Sequence, residues 1–162
     1  MIRILIIDDH PLVMDGVATM VKGVDYLEVM GPCKSGAAAL DFLSANEPEI
    51  ILLDISLLDI DVLELCSQIR KTNTSVKIIG LTSTNQAGII TQFLAKGGNG
   101  YLLKNMEREE LIDATDEVMN DKIFLSKAAN QKILEQYQTV NDASKKHADT
   151  HPERKTDQAV VV

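Results

Sequence analysis

The amino-acid sequence predicts an α/β fold, a parallel sheet with helices packed on both faces. Two observations predict it. Short aliphatic runs alternate with longer segments of helical period, about five times in the first 120 residues or so. The runs also lack polar alternation, the pattern of strands covered on both sides. Crossovers between such strands are right-handed, so the sheet should be doubly wound.

The elements follow in order. Strands are expected at about 2–7, 27–30, 50–53, 77–81 and 100–103. Pro11 suits the first turn of a helix, and Val13, Val17, Met20 and Val21 then form its apolar stripe before Gly23. Ser35 can cap a second helix carrying Ala39, Leu40 and Leu43, which stops before Pro48. Val62, Leu65, Cys66 and Ile69 mark a third. Ile89, Ile90, Phe93 and Leu94 mark a fourth, closed by Gly97-Gly98. Asn105 is positioned to cap a fifth, with Glu107, Glu109 and Glu110 at its positive end and Leu111, Ile112, Thr115, Val118 and Met119 as its buried stripe. Ser126 can cap a short sixth helix with Ala129, Ile133, Leu134 and Tyr137 on one side. From Thr139 onward the chain is polar without an apolar period, and disorder or a linker is expected. The flavodoxin-like strand order 2-1-3-4-5 fits five such units and puts a switch point between the first and third strands.

Composition narrows the function. Of 162 residues, 45% are hydrophobic but only 4% aromatic and none is Trp, so the core must be aliphatic. A formal net charge of −8 argues against direct nucleic-acid binding by this chain, which needs a basic face. The first apolar run is too short for a signal peptide, and no run approaches a membrane span, so a cytoplasmic location with no membrane partner is expected. Cys33 and Cys66 have no metal-ligand spacing and read as buried thiols.

The chemistry lies at the ends of the runs. Ile2–Ile7 ends in Asp8-Asp9, Ile50–Leu53 in Asp54, Ile78–Leu81 in Thr82 and Tyr101–Leu103 in Lys104. Ligands of open parallel sheets bind at the carboxyl ends of strands, so these groups should converge. At ~4 Å and an effective dielectric near 20, each like-charge carboxylate pair costs about 4 kcal/mol. Such a cluster persists by holding protons or a cation, and oxygen ligands with open positions for water favour Mg²⁺. With the Lys104 ammonium opposite, that arrangement suits phosphoryl transfer, which asks mainly for positioning and electrostatics. Asp54, alone at a central strand end, is the candidate nucleophile; Asp8 and Asp9 suit the metal, and Thr82 could donate to a phosphoryl oxygen. His10 reads as a helix-start residue, with no second histidine nearby to suggest a metal role. Tyr101 is either plain core or a moving part.

These residues resemble the receiver domain of two-component response regulators. The resemblance spans about 1–120 and rests on Ile6-Ile7-Asp8-Asp9-His10-Pro11, Leu52-Leu53-Asp54-Ile55, Leu81-Thr82-Ser83 and Gly100-Tyr101-Leu102-Leu103-Lys104. It implies that Asp54 accepts phosphate from a sensor histidine kinase or phosphotransfer protein, in a signalling protein whose only catalysis is its own phosphorylation and dephosphorylation. Asp9, Asp54 and the Ser56 backbone carbonyl would bind Mg²⁺ directly, with Asp8 acting through water. Thr82 and Lys104 would contact the phosphoryl group, and Thr82 with Tyr101 would relay its presence. Ser56 and Thr84 stand where the family tunes phosphate lifetime.

The opening segment and sixth helix look most like the LuxR/NarL-type branch, whose receivers precede a DNA-binding domain and control transcription. Homodimerisation on phosphorylation is the implied response. The expected layout is a receiver over 1–121, a linker helix over 122–138 and a disordered linker or tail over 139–162. A truncated receiver is expected; a stand-alone or degenerate receiver acting as an interaction module is the alternative. Leu58 and Val62 occupy positions where the family usually has Pro and Gly. Asp59-Ile60-Asp61 offers a rival reading, a haloacid-dehalogenase-like phosphatase with an Asp-x-Asp pair.

Overall fold

A computed structural model describes residues 1–83 and 87–150. Among these residues six parallel strands form one sheet: β1 (Ile2–Ile7), β2 (Leu27–Cys33), β3 (Ile50–Asp54), β4 (Lys77–Thr82), β5 (Gly100–Leu103) and β6 (Phe124–Leu125). Their order is β2-β1-β3-β4-β5-β6, the expected order with one strand added at the edge. The helices are α1 (Pro11–Val21), α2 (Gly36–Leu43), α3 (Val62–Thr72), α4 (Ala87–Ala95), α5 (Arg108–Met119) and α6 (Lys127–Thr150).

Side chains alternate between the two faces even though the strands are apolar throughout. Leu5, Ile7, Ile51 and Leu53 meet Leu65, Cys66 and Ile69 of α3 and Ile90 and Phe93 of α4. Ile4, Ile6, Ile50 and Leu52 meet Val17 and Val21 of α1 and Leu111, Ala114 and Val118 of α5. These strand side chains are fully buried, and each contributes roughly 1.5–3 kcal/mol of hydrophobic stabilisation. Cys33 and Cys66 are free and buried; burial pushes the Cys66 thiol up to about 12.

Several boundaries differ from expectation. β2 runs past Met30 through Gly31-Pro32 to Cys33, crossing a register irregularity opposite Leu5 and Ile7. A Gly-Pro pair reads as a stop, but an edge strand tolerates it where the ladder is already interrupted. The N-cap position of α5 is Glu107 and not Asn105, its side chain makes no capping bond, and Glu109 and Glu110 lie in the first turn. Ser126 does cap α6, its Oγ accepting from Ala129 N–H at 3.1 Å. However, only Ala129 of the expected α6 stripe is fully buried; Leu134 and Tyr137 are exposed. α6 also runs to Thr150, past the end at 138 expected for the linker helix; 151–162, the rest of the expected disordered linker or tail, lie outside the described residues. The added turns contain Ala and Lys, which favour helix without supplying an apolar face.

Candidate functional site

Asp8 and Asp9 follow β1, Asp54 closes β3, Thr82 closes β4 and Lys104 follows β5. The strand ladder sets their heights: Asp54 pairs with Leu81, and Thr82 with Leu103. Two further backbone bonds fix the rim, from Ile55 N–H to Leu81 O at 3.0 Å and from Lys104 N–H to Thr82 O at 2.8 Å.

Asp54 is completely buried and Asp8 nearly so, whereas Asp9 is exposed. One oxygen of Asp54, Oδ1, accepts from the Ser56 backbone N–H at 2.9 Å. Its other oxygen lies 3.2 Å from Lys104 Nζ, which also stands 3.1 Å from Asp8 Oδ2. The ammonium balances charge, but among the described residues neither Asp8 Oδ2 nor Asp54 Oδ2 receives an aligned hydrogen bond. Carboxylate oxygens out of water with unused lone pairs fit a divalent cation.

Sequence reasoning gave His10 no part in this cluster. His10 begins α1, but its side chain makes no capping bond. Its Nδ1 instead lies 2.7 Å from Asp8 Oδ1, 3.1 Å from Asp9 Oδ1 and 3.6 Å from Asp54 Oδ2. It is also 2.9 Å from Lys104 Nζ. A single ring nitrogen can donate to the carboxylate or accept from the ammonium, but not both. Donor atoms of Asp8, Asp9, His10 and Asp54 all lie within 4.8 Å of one another. The available signal was its place directly after the acidic pair at a strand end.

Tyr101 is fully buried and packs edge-on against Phe93, with ring centroids 6.3 Å apart. Burial raises its phenol above the usual value, opposed in smaller measure by the Thr82 hydroxyl. That hydroxyl is the polar neighbour of the Tyr101 oxygen, which has no well-aligned hydrogen bond among the described residues. Thr84 lies outside the described residues.

The rival Asp-x-Asp pair is occupied elsewhere. Asp61 caps α3, Oδ1 accepting from Leu63 and Glu64 N–H at 2.9 and 3.2 Å. Asp59 reaches across to α2 and accepts from Gly36 and Ala37 N–H at 2.9 and 3.1 Å. Both carboxylates close helix ends, which leaves the phosphatase reading without its catalytic pair. Val62 is buried in the first turn of α3, and Leu58 is 93% exposed in the preceding loop.

A parallel sheet presenting an acidic pair, a buried lone aspartate, a hydroxyl and an ammonium at one carboxyl edge defines a phosphoacceptor signalling domain. Residues 4–116 match the family described as the response regulator receiver domain. The chain belongs to that family, the phosphoacceptor of two-component signalling. It is similar to the nitrate/nitrite response regulator protein NarL of Escherichia coli K12, 30% identical over 125 residues. That alignment covers 77% of this chain and 58% of NarL, so the chain spans little more than half of that relative. Response regulator GacA of Pseudomonas protegens is 28% identical over 144 residues, 88% of this chain and 68% of GacA.

Solved structures agree on the fold. A LuxR-family two-component response regulator from Aurantimonas superposes with TM-score 0.77 at 22% identity, covering 83% of this chain and 96% of that one. The isolated receiver domain of RcsB from Salmonella enterica, with the phosphomimetic BeF3-, gives TM-score 0.75 at 23% identity, covering 82% and 98%. No helix among the described residues is long and apolar enough to cross a membrane.

Proposed function

We propose that Asp54 is the phosphoacceptor, receiving its phosphoryl group from a phosphohistidine on a sensor kinase or phosphotransfer protein. The observation that carries this is the asymmetry of its buried carboxylate: Oδ1 is held by Ser56 N–H while Oδ2 faces Lys104 without an aligned donor. An Asp54 oxygen forms the new P–O bond as the P–N bond of the donor breaks. Lys104 then follows the transferred charge, exchanging a carboxylate oxygen for a phosphoryl oxygen.

Asp8, Asp9 and Asp54, with the Ser56 carbonyl, are the groups to hold Mg²⁺. The bound ion supplies charge neutralisation for the transferring phosphoryl oxygens. The Thr82 hydroxyl donates to one of those oxygens and, through its contact with Tyr101, couples phosphorylation to the packing of β4, β5 and α4. The phosphoryl group acts only through its differential affinity for two conformations. Moving that equilibrium from 1:99 to 99:1 takes about 5.5 kcal/mol, within reach of a dianion held by a cation, Lys104 and Thr82. Homodimerisation, and control of transcription through a DNA-binding domain as in LuxR-family regulators, is the output we infer.

The test is intact mass after treatment with acetyl phosphate and Mg²⁺, for the wild type and Asp54→Asn. A gain of about 80 Da, one phosphoryl group, is expected in the wild type alone. No gain in either protein, with Mg²⁺ binding verified, would leave an interaction module that does not take phosphate.

A further inference from the structure

The His10 ring is held in the acidic cluster, its Nδ1 at hydrogen-bond distance, 2.7 Å, from Asp8 Oδ1. Its side chain is 57% exposed, yet Nδ1 is turned into three carboxylates. We propose that His10 is a metal ligand through Nδ1, giving the site an oxygen-and-nitrogen donor set that selects borderline divalent transition ions over Mg²⁺. This rests on the metal-site reading above and adds a ligand to it.

The spacing supports coordination. Adjacent ligands on a six-coordinate ion with bonds of about 2.1 Å lie about 3 Å apart. The distances from Nδ1 to Asp8, Asp9 and Asp54 oxygens, 2.7, 3.1 and 3.6 Å, bracket that value. The side chains would therefore need little movement to close around an ion. Lys104, 2.9 Å from Nδ1, is the one basic side chain in contact with the ring among the described residues and must yield to the incoming ion. It has its alternative role beside the phosphoryl oxygens.

Donor chemistry sets the selectivity. Mg²⁺ favours oxygen ligands and keeps several waters, so an imidazole adds little to its binding. Imidazole suits the later first-row ions, and affinity for a site containing it rises from Mn²⁺ toward Co²⁺ and Ni²⁺. A receiver with this donor set would carry its phosphorylation chemistry on whichever of these ions is available.

The 162-residue chain and its His10→Ala variant test this by calorimetric titration with Co²⁺ and Mg²⁺, and by pulsed EPR of the Mn²⁺-loaded proteins. In the wild type, the Mn²⁺ spectrum should carry hyperfine coupling to a directly bound nitrogen, absent from the variant. The variant should lose roughly tenfold or more in Co²⁺ affinity, the scale of a ligand-shell change, and less than about threefold in Mg²⁺ affinity. The proposal is overturned by a wild-type spectrum without nitrogen coupling, or by coupling that survives in the variant through His147 or His151. Equal losses for both ions also overturn it, as does tighter binding in the variant, which would make the imidazole a competitor. If neither protein binds any of these ions, the metal-site reading fails with it; Mg²⁺ binding without nitrogen coupling sinks only the role of His10.

Discussion

Gly80 and Tyr101 stand opposite each other across the β4–β5 ladder, and the missing side chain of one makes room for the ring of the other. A Cβ at position 80 would fall 3.2 Å from Tyr101 Cδ2, 3.2 Å from Phe93 Cε1 and 3.3 Å from Ile55 Cγ2. Neighbours from α4, β5 and the turn after β3 close this space. A larger residue at position 80 fits only if these neighbours give way by a few tenths of an ångström, in an element whose other positions carry larger side chains.

Gly80→Ala should consequently destabilise the domain by about 1–3 kcal/mol, the usual cost of overfilling a packed core. Urea denaturation measures it. Stability equal to the wild type would mean that Tyr101 and Phe93 can move aside without penalty. The same variant in a Tyr101→Ala background should lose part of its effect, because one of the three close contacts is gone.

Asp59 makes a pH-dependent contribution. Hydrogen bonds from Gly36 and Ala37 N–H hold its carboxyl below the ordinary carboxylate value. A depressed folded-state pKa means that the unfolded chain binds the proton more tightly. The resulting stability is fully present above the unfolded value, about pH 4, and is lost as pH falls through the lower folded value. Asp59→Ala should lower the urea midpoint at pH 7, and the gap from the wild type should narrow below about pH 4. A gap independent of pH would show that the loss comes from the loop backbone and not from the charge on the cap.

What the sequence shows of this fold follows from how each element is stabilised. β3 and, after Arg3, β1 are legible because strand residues buried on both faces must be aliphatic, and Asp8 and Asp54 stand out because a carboxylate ends each run. β6 is two residues long and carries no period to detect. The outer part of α6 has no apolar stripe, so the feature that identifies a helix in sequence is missing where the helix leaves the sheet. The orientation of the His10 ring depends on the turn after β1, where His10 N–H donates to Asp8 Oδ1 at 2.8 Å. Composition does not encode that direction.

That view of α6 makes a prediction. Its inner turns are anchored by Ala129, whereas Leu134 and Tyr137 are exposed. Ending the chain after Gln138 should change stability by less than about 0.5 kcal/mol, as for surface changes away from packed features. A larger loss in urea denaturation would show that the outer turns contribute to the fold beyond their own helix.

Lys104 should matter most when no divalent cation is bound. Its ammonium is 3.1 Å from Asp8 Oδ2 and 3.2 Å from Asp54 Oδ2, and only 14% of its side chain is exposed. In Lys104→Met the two buried carboxylates lose this counter-charge. Breaking a fully buried pair from one side costs about 3–5 kcal/mol; a site open along one edge to water should lose on the order of 2 kcal/mol. A divalent ion binds the folded cluster and not the unfolded chain, so at about 100 times its Kd it returns about 2.7 kcal/mol. It should also bind the variant more tightly, because the competing ammonium is gone. The stability difference between wild type and variant should therefore be largest in chelator and shrink as Mg²⁺ is added. A difference unaffected by Mg²⁺ would place the role of Lys104 in packing alone and remove the charge argument from the site.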